Sequence, residues 1–123
     1  MALTPKKVVE GNVELKAEGD TIFINGNIDC QGPGKFMNPF FSDVHNDILK
    51  NSMKNVKLDI RKLTFLNSSG IKELVEWIMK LDILSDAQKY TITILTNPEF
   101  MWQESSISTL VYLNTNYVKK VTG

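Results

Sequence analysis

The chain has 123 residues, 42% of them hydrophobic, and its fourteen basic and fourteen acidic side chains cancel. It reads as one globular domain of ordinary size, able to bury roughly two-thirds of its unfolded surface without a metal or disulfide. Neither charge sign forms a run, which argues against the basic face of a nucleic-acid binder, and no apolar run approaches the ~18 residues of a membrane span.

Val8 to Glu18 alternates apolar and polar residues around Val13 and Leu15, which predicts a half-buried strand. Gly19-Asp20 signals a turn, and Thr21 to Ile28 resumes the alternation, so the two runs form a hairpin. Asp29 to Pro39 holds two Gly and two Pro and predicts an irregular loop. Phe40 to Met53 follows as a helix, with Phe40, Val44, Ile48 and Leu49 on one side and Phe41 at its flank. Asn55 to Leu63 is the central strand, with Val56, Leu58 and Ile60 on one face. Ser68 to Leu84 has the clearest helical pattern: Ile71, Leu74, Val75, Ile78 and Leu81 form its apolar stripe, while Lys72, Glu73, Glu76 and Lys80 face water. Tyr90 to Thr96 is β-branched and alternating, a strand that Asn97-Pro98 ends. Glu104 to Leu113 carries Ile107, Leu110 and Val111 at helical spacing, and Tyr117 to Val121 is a short closing strand or an extended tail. There is no repeat or linker, so residues 1–123 form a single domain. Strands alternating with helices imply an α/β fold with a mixed, mostly parallel sheet of four or five strands, helices mainly on one face and the other face partly wet.

The turn Asn67-Ser68-Ser69-Gly70 joins the central strand region to the second helix. Asn67 suits the N-cap, because its side-chain oxygen can accept from the N–H of Ser69 or Gly70. Ser68 and Ser69 fall in the first turn, where free N–H groups and the helix dipole favour an anion such as a phosphate. Gly70 allows close approach by another backbone or a partner. Local chemistry alone is also satisfied by a plain capped helix start.

Leu58 to Ile71, LDIRKLTFLNSSGI, resembles the signature of STAS domains, the anti-sigma factor antagonist family, with Asp59, Leu63, Phe65, Leu66, Ser68, Ser69, Gly70 and Ile71 matching in place. The order of elements along most of the chain fits that family too. The resemblance implies a STAS-like fold and a protein-binding regulator rather than an enzyme, acting in a bacterial partner-switching system. It implies phosphorylation of Ser68, with Ser69 second, by a serine kinase that doubles as an anti-sigma factor, and reversal by a metal-dependent serine phosphatase. Phosphate would add roughly −1.5 to −2 charge at the docking surface. The family's Asp is Asn67 in this chain, which keeps the cap and removes a carboxylate that a kinase could read. Phe-Leu-Asn-Ser-Ser-Gly-Ile also resembles a divergent STAS-like group that carries a Trp-Gln pair ahead of the last helix, as Trp102-Gln103 does. Two further readings stand beside the switch: a constitutive interaction domain on the same fold, and a small-ligand sensor lidded by Asp29 to Pro39.

Other residues offer less. Gly32-Pro33-Gly34-Lys35 lacks the spacing of a phosphate loop, and Pro33 removes a cradling N–H. Phe36, Met37, Phe40 and Phe41 are mainly core, with Phe36 a candidate for a hydrophobic rim beside the turn. Trp77 lies off the apolar stripe, as edge core or as a partner anchor. Trp102 and Met101 are expected against the sheet edge. His45 and Cys30 have no spaced partners for a metal site, and Ser68 lacks a nucleophile elbow, so neither a metal, a cofactor nor a catalytic site is expected. Cys30 has no intrachain disulfide partner, and Lys6-Lys7 precedes Val8-Val9-Glu10-Gly11 rather than an apolar segment. A cytoplasmic location without a secretory leader follows as an expectation, as does a monomer or weak dimer.

Overall fold

A computed structural model describes residues 2–122. Three helices pack on one face of a seven-stranded sheet, so the expected fold class holds and the sheet is larger than the four or five strands expected. The elements are β1 (Leu3–Glu10), β2 (Val13–Gly19), β3 (Thr21–Ile28), α1 (Gly34–Lys50), β4 (Asn55–Asp59), β5 (Leu63–Leu66), α2 (Ser68–Asp82), β6 (Thr91–Thr96), α3 (Met101–Leu113) and β7 (Val118–Thr122). The sheet order is β1-β2-β3-β4-β6-β7, with β5 also paired to β3. The β1–β2 and β2–β3 pairs are antiparallel, and the other four are parallel.

The extra strands come from breaks inside runs that read as single strands. Val8 to Glu18 is divided at Gly11-Asn12, with Gly11 at φ +55°, so it folds into a first hairpin instead of one strand. The run from Asn55 to Leu63 breaks after Asp59. Its first part, β4, pairs with the start of β3 (Phe23 opposite Asp59), and β5 pairs with the end of β3 (Gly26 opposite Leu63). Asp59 makes this break: its carboxylate accepts from the Arg61 backbone N–H at 3.0 Å, from Nε at 3.1 Å and from Nη2 at 2.7 Å. Gly26 takes φ +105°, and a Cβ there would lie 1.8 Å from the Asn12 carbonyl oxygen. Only glycine lets the first hairpin turn close over β3. Tyr117 to Val121 resolves as β7, a parallel edge strand beside β6.

α1 starts six residues earlier than Phe40, within the stretch expected to be irregular, and it contains Pro39. Proline in the second turn removes one N–H and crowds the carbonyl four residues back. The helix survives because Met37, Phe40, Phe41, Val44 and Ile48 are all buried along one side; burying each such side chain contributes roughly 1.5–3 kcal/mol. No lid spanning Asp29 to Pro39 exists, since only the stretch up to Pro33 is loop. The core lies between the sheet and the helices, with Leu15, Ile22, Ile24, Leu58, Ile92 and Ile94 facing Leu74, Trp77, Ile78, Leu81, Ile107 and Leu110. No helix among the described residues is long and apolar enough to cross a membrane.

Candidate functional site

Asn67 is the N-cap of α2. In extended conformation (φ −74°, ψ 172°), it accepts the Gly70 N–H on Oδ1 at 2.8 Å. The first intrahelical bond runs from the Ile71 N–H to the Asn67 carbonyl at 3.0 Å. The Ser68 and Ser69 N–H groups precede that bond and stay open to water or an anion. Both serines are exposed.

The carboxamide of Asn67 also reaches outward. Its Nδ2 donates to the Cys30 carbonyl at 2.8 Å, while the Asn67 backbone N–H donates to the Ile28 carbonyl at 2.9 Å. One side chain therefore caps α2 and ties down the loop that leads into α1. An aspartate could cap, but its second oxygen would face the Cys30 carbonyl with no proton to share. Asparagine at this position has a local structural reason.

Gly70 is buried, and its close neighbour is neither another backbone nor open space for a partner. A Cβ on it would lie 2.4 Å from Leu66 Cδ1 and 3.3 Å from Ile28 Cγ2. The glycine lets the first turn of α2 settle onto the ends of β3 and β5. Glu73, expected to face water, is half-buried instead and turns toward α1: a Cβ on Gly34 would lie 2.9 Å from its Oε2. Its Oε1 is shielded from water and has no hydrogen-bond partner among the described residues. The carboxylate lies at the start of α1, the end of a helix where negative charge is favoured.

The structure thus gathers Asn67, Ser68, Ser69 and Gly70 with the Cys30 loop and the start of α1. Phe36 is half-buried in the first turn of α1 and lines a cleft of about 470 Å³ with Cys30, Gly32, Lys35 and the Gly11-Asn12 turn. Trp77 does not belong to this surface. It is 2% exposed, stacks on Phe41 with ring centroids 5.0 Å apart, and donates its indole N–H to the Tyr90 hydroxyl at 2.8 Å. Its place off the apolar stripe reflects α1, which covers that flank, so it is core and not a partner anchor.

His45 also lies at the Tyr90 hydroxyl, with Nδ1 at 2.7 Å. Since the indole can only donate, the tyrosine proton is free for His45 Nδ1, which leaves the imidazole neutral with its proton on Nε2. Burial first, and the Lys80 charge second, push the His45 pKa below its ordinary value. Burial raises the Asp59 carboxyl, and the hydrogen bonds and charge of Arg61 outweigh that, leaving it below the usual carboxylate range. No cluster of His, Cys, Asp and Glu able to hold a metal occurs among the described residues.

Three residues near the turn that the sequence named through the family resemblance, Phe65, Trp102 and Gln103, acquire positions in the structure. Phe65, two residues before Asn67, is 44% exposed. Trp102 donates its indole N–H to the Thr64 carbonyl at 2.7 Å, and Gln103 Nε2 donates to the carbonyls of Ile60 and Leu63 at 2.8 and 3.0 Å. The Trp-Gln pair lies inside the first turn of α3, not ahead of it, and pins α3 across the β4–β5 break. Met101 differs from the expectation for it: it is 86% exposed and is not packed against the sheet edge. The sequence signals at these positions were the match at Phe65 and a Trp-Gln pair expected ahead of the last helix, and neither indicated the contacts.

No protein-family model and no curated protein matches the sequence. Among solved structures, SiaC of Pseudomonas aeruginosa is similar in fold, with a TM-score of 0.70 and 12% identity over 98% of this chain and all of the other. A chain in the crystal structure of the diguanylate cyclase SiaD in complex with its activator SiaC, from the same organism, matches with a TM-score of 0.61 and 13% identity, covering 100% of this chain and 95% of the other.

Proposed function

We propose that this chain is a protein-binding module of a partner-switching system, controlled by reversible phosphorylation of Ser68, with Ser69 as second acceptor. The carrying observation is the Asn67–Gly70 turn: two exposed hydroxyls beside two open N–H groups at the start of a capped helix. A phosphate there is locally tolerated by the helix dipole, while its charge changes the surface a partner meets. The fold likeness to SiaC, a protein described as the activator of a diguanylate cyclase and found in complex with it, supports a binding role over catalysis. The partners on this reading are a serine kinase of the anti-sigma-factor type, a serine phosphatase and the protein released or held by the switch. The domain works in the cytoplasm and has no enzymatic activity of its own. The test is incubation with the cognate serine kinase and ATP, followed by peptide mass spectrometry. Phosphate on Ser68 or Ser69 is expected, and none on either would sink the switch.

The constitutive reading has one observation of its own: the Asn67 carboxamide is already committed to both Gly70 and Cys30. A turn held that way can serve as a fixed docking edge without modification. If Asn67→Asp gains phosphorylation that the parent lacks, this second reading is the right one.

A further inference from the structure

α1 lacks at its start what α2 has. α2 is capped by the Asn67 side chain, which accepts from Gly70. α1 begins after Pro33, which makes no side-chain capping bond, and its first turn carries no acidic residue. That turn holds Lys35 instead, a positive charge at the helix end where the dipole favours a negative one. The missing negative charge comes from α2. Glu73 Oε2 lies so near Gly34 that a Cβ there would stand 2.9 Å from it, and 3.3 Å from the Glu73 Cδ.

Shape holds Glu73 in this place, not a side-chain partner. Its Oε1 is shielded from water with no hydrogen bond. None of the ion pairs among the described residues includes it. A carboxylate so placed loses hydration, and the positive end of α1 offsets that loss. The turn it faces is loosely bonded. The Lys35 and Phe36 N–H groups donate to the Gly32 and Pro33 carbonyls at 3.2 Å each, the long end of the normal range, and Met37 donates to Pro33 at 3.0 Å. Two ties therefore join the first turns of α2 to the entry of α1: the Asn67 bond to the Cys30 carbonyl, and Glu73 at Gly34.

Ser69 stands four residues before Glu73, a spacing that makes helix side chains neighbours. Ser68 stands five before it, turned about 140° around the helix. We propose that Glu73 is a latch that passes negative charge at Ser69 to the start of α1. Like charges at i and i+4 repel, the Glu73 carboxylate leaves Gly34, and the first turn of α1 loosens. The inference rests on the reading of the turn as a place that gains charge, and it gives the two serines different tasks. Charge at Ser69 reaches α1, whereas charge at Ser68 changes only the surface that a partner meets.

The test is amide hydrogen exchange of the full chain by NMR, read at Lys35, Phe36 and Met37, comparing Ser69→Asp with its neutral isostere Ser69→Asn. Exchange at these amides is expected to be at least about twofold faster with Asp. In the Glu73→Gln background that ratio falls to one. Gly34→Ala gives the same result with the Glu73 charge intact, because the added Cβ displaces only the end of a flexible side chain. Ser68→Asp against Ser68→Asn gives a smaller ratio than the pair at Ser69. A ratio of one in the parent background, a ratio that survives both Glu73→Gln and Gly34→Ala, or an equal ratio at Ser68 would overturn the proposal. No kinase takes part, so the two readings fail separately. Missing phosphate in the kinase assay sinks the switch and leaves the latch as a property of the fold, while a failed exchange cycle sinks the latch alone.

Discussion

The start of α2 and its middle put polar groups to opposite uses. At the start, Ser68 and Ser69 face water and two N–H groups are left open, with Asn67 supplying the only tie. Nine residues on, the Trp77 indole is enclosed, and its N–H belongs to a closed set with Tyr90 and His45. The same helix thus carries an adjustable end and a fixed middle. The difference teaches where substitutions should register: stability at Trp77, recognition at the turn.

The largest effect that should break this contrast is Trp77→Ala. It empties a fully packed site against Phe41 and strips Tyr90 of a donor, and a loss of about 3–5 kcal/mol is expected in urea unfolding. Ser69→Ala, on the same helix, should stay within ~0.5 kcal/mol. Were the two losses equal, the separation between the two regions would be wrong. Tyr90→Phe sharpens the point, because it keeps the ring and removes one oxygen. It leaves the buried Trp77 N–H and His45 Nδ1 unpaired and should cost about 1–3 kcal/mol.

The His45 site adds a pH signature. Its pKa is depressed in the fold by burial and by Lys80, so the unfolded chain binds the proton first, near its ordinary value of about 6.5. Stability is then full above that pH and falls as the pH drops through it toward the folded pKa. Asp59 acts lower, its contribution being lost only as the pH falls below about 4. His45→Gln should flatten the pH dependence of the unfolding midpoint just below about pH 6.5 and leave the carboxylate limb in place.

How much of this was legible in the sequence depends on range. α2 and its apolar stripe, β3 and β6 follow from local periodicity and appear with ends shifted by two residues at most, while the hairpin's first strand keeps only its second half, as β2. The failures share a cause. Gly11-Asn12 and the Asp59–Arg61 clamp are short breaks inside apolar alternation, and only pairing across the sheet shows that each divides a strand. Pro39 looked decisive locally and was overruled by five side chains of α1 itself that the sheet and the other helices bury along one side. At the turn, the Asn67 cap was readable because capping is a contact within three residues. The Cys30 bond was not, because it spans thirty-seven positions. Trp77 misled for the same reason: one helix's periodicity does not reveal that a second helix covers its flank.

Asn67 tests the adjustable end directly. Asn67→Ala removes the cap and should cost about 1 kcal/mol. Asn67→Asp keeps the cap, gains a little from the helix dipole and loses the Cys30 tie. Hydrogen exchange separates the two tasks. In the Asp variant the Gly70 amide stays protected while the 30–33 loop exchanges faster, whereas the Ala variant loses protection at both. Equal loop protection in Asp and parent would mean that the bond to Cys30 does not hold the loop.

The smallest effect on stability should come with the largest effect on binding. Ser68→Asp places a carboxylate in the first turn of α2, where the open N–H groups and the dipole favour it, so unfolding should move by only a few tenths of a kcal/mol, in the stabilising direction. A partner docked over that turn meets a new charge it was not built to pair, and affinity should fall at least tenfold. Lys72, one turn along the same exposed side, is a control for charge alone: Lys72→Glu changes the net charge twice as much without adding a group at the turn. If both variants weaken binding in proportion to charge, the turn is merely part of an electrostatic surface. If Ser68→Asp weakens it more while shifting stability less, the start of α2 is a switch whose energetics are kept apart from the core only nine residues away.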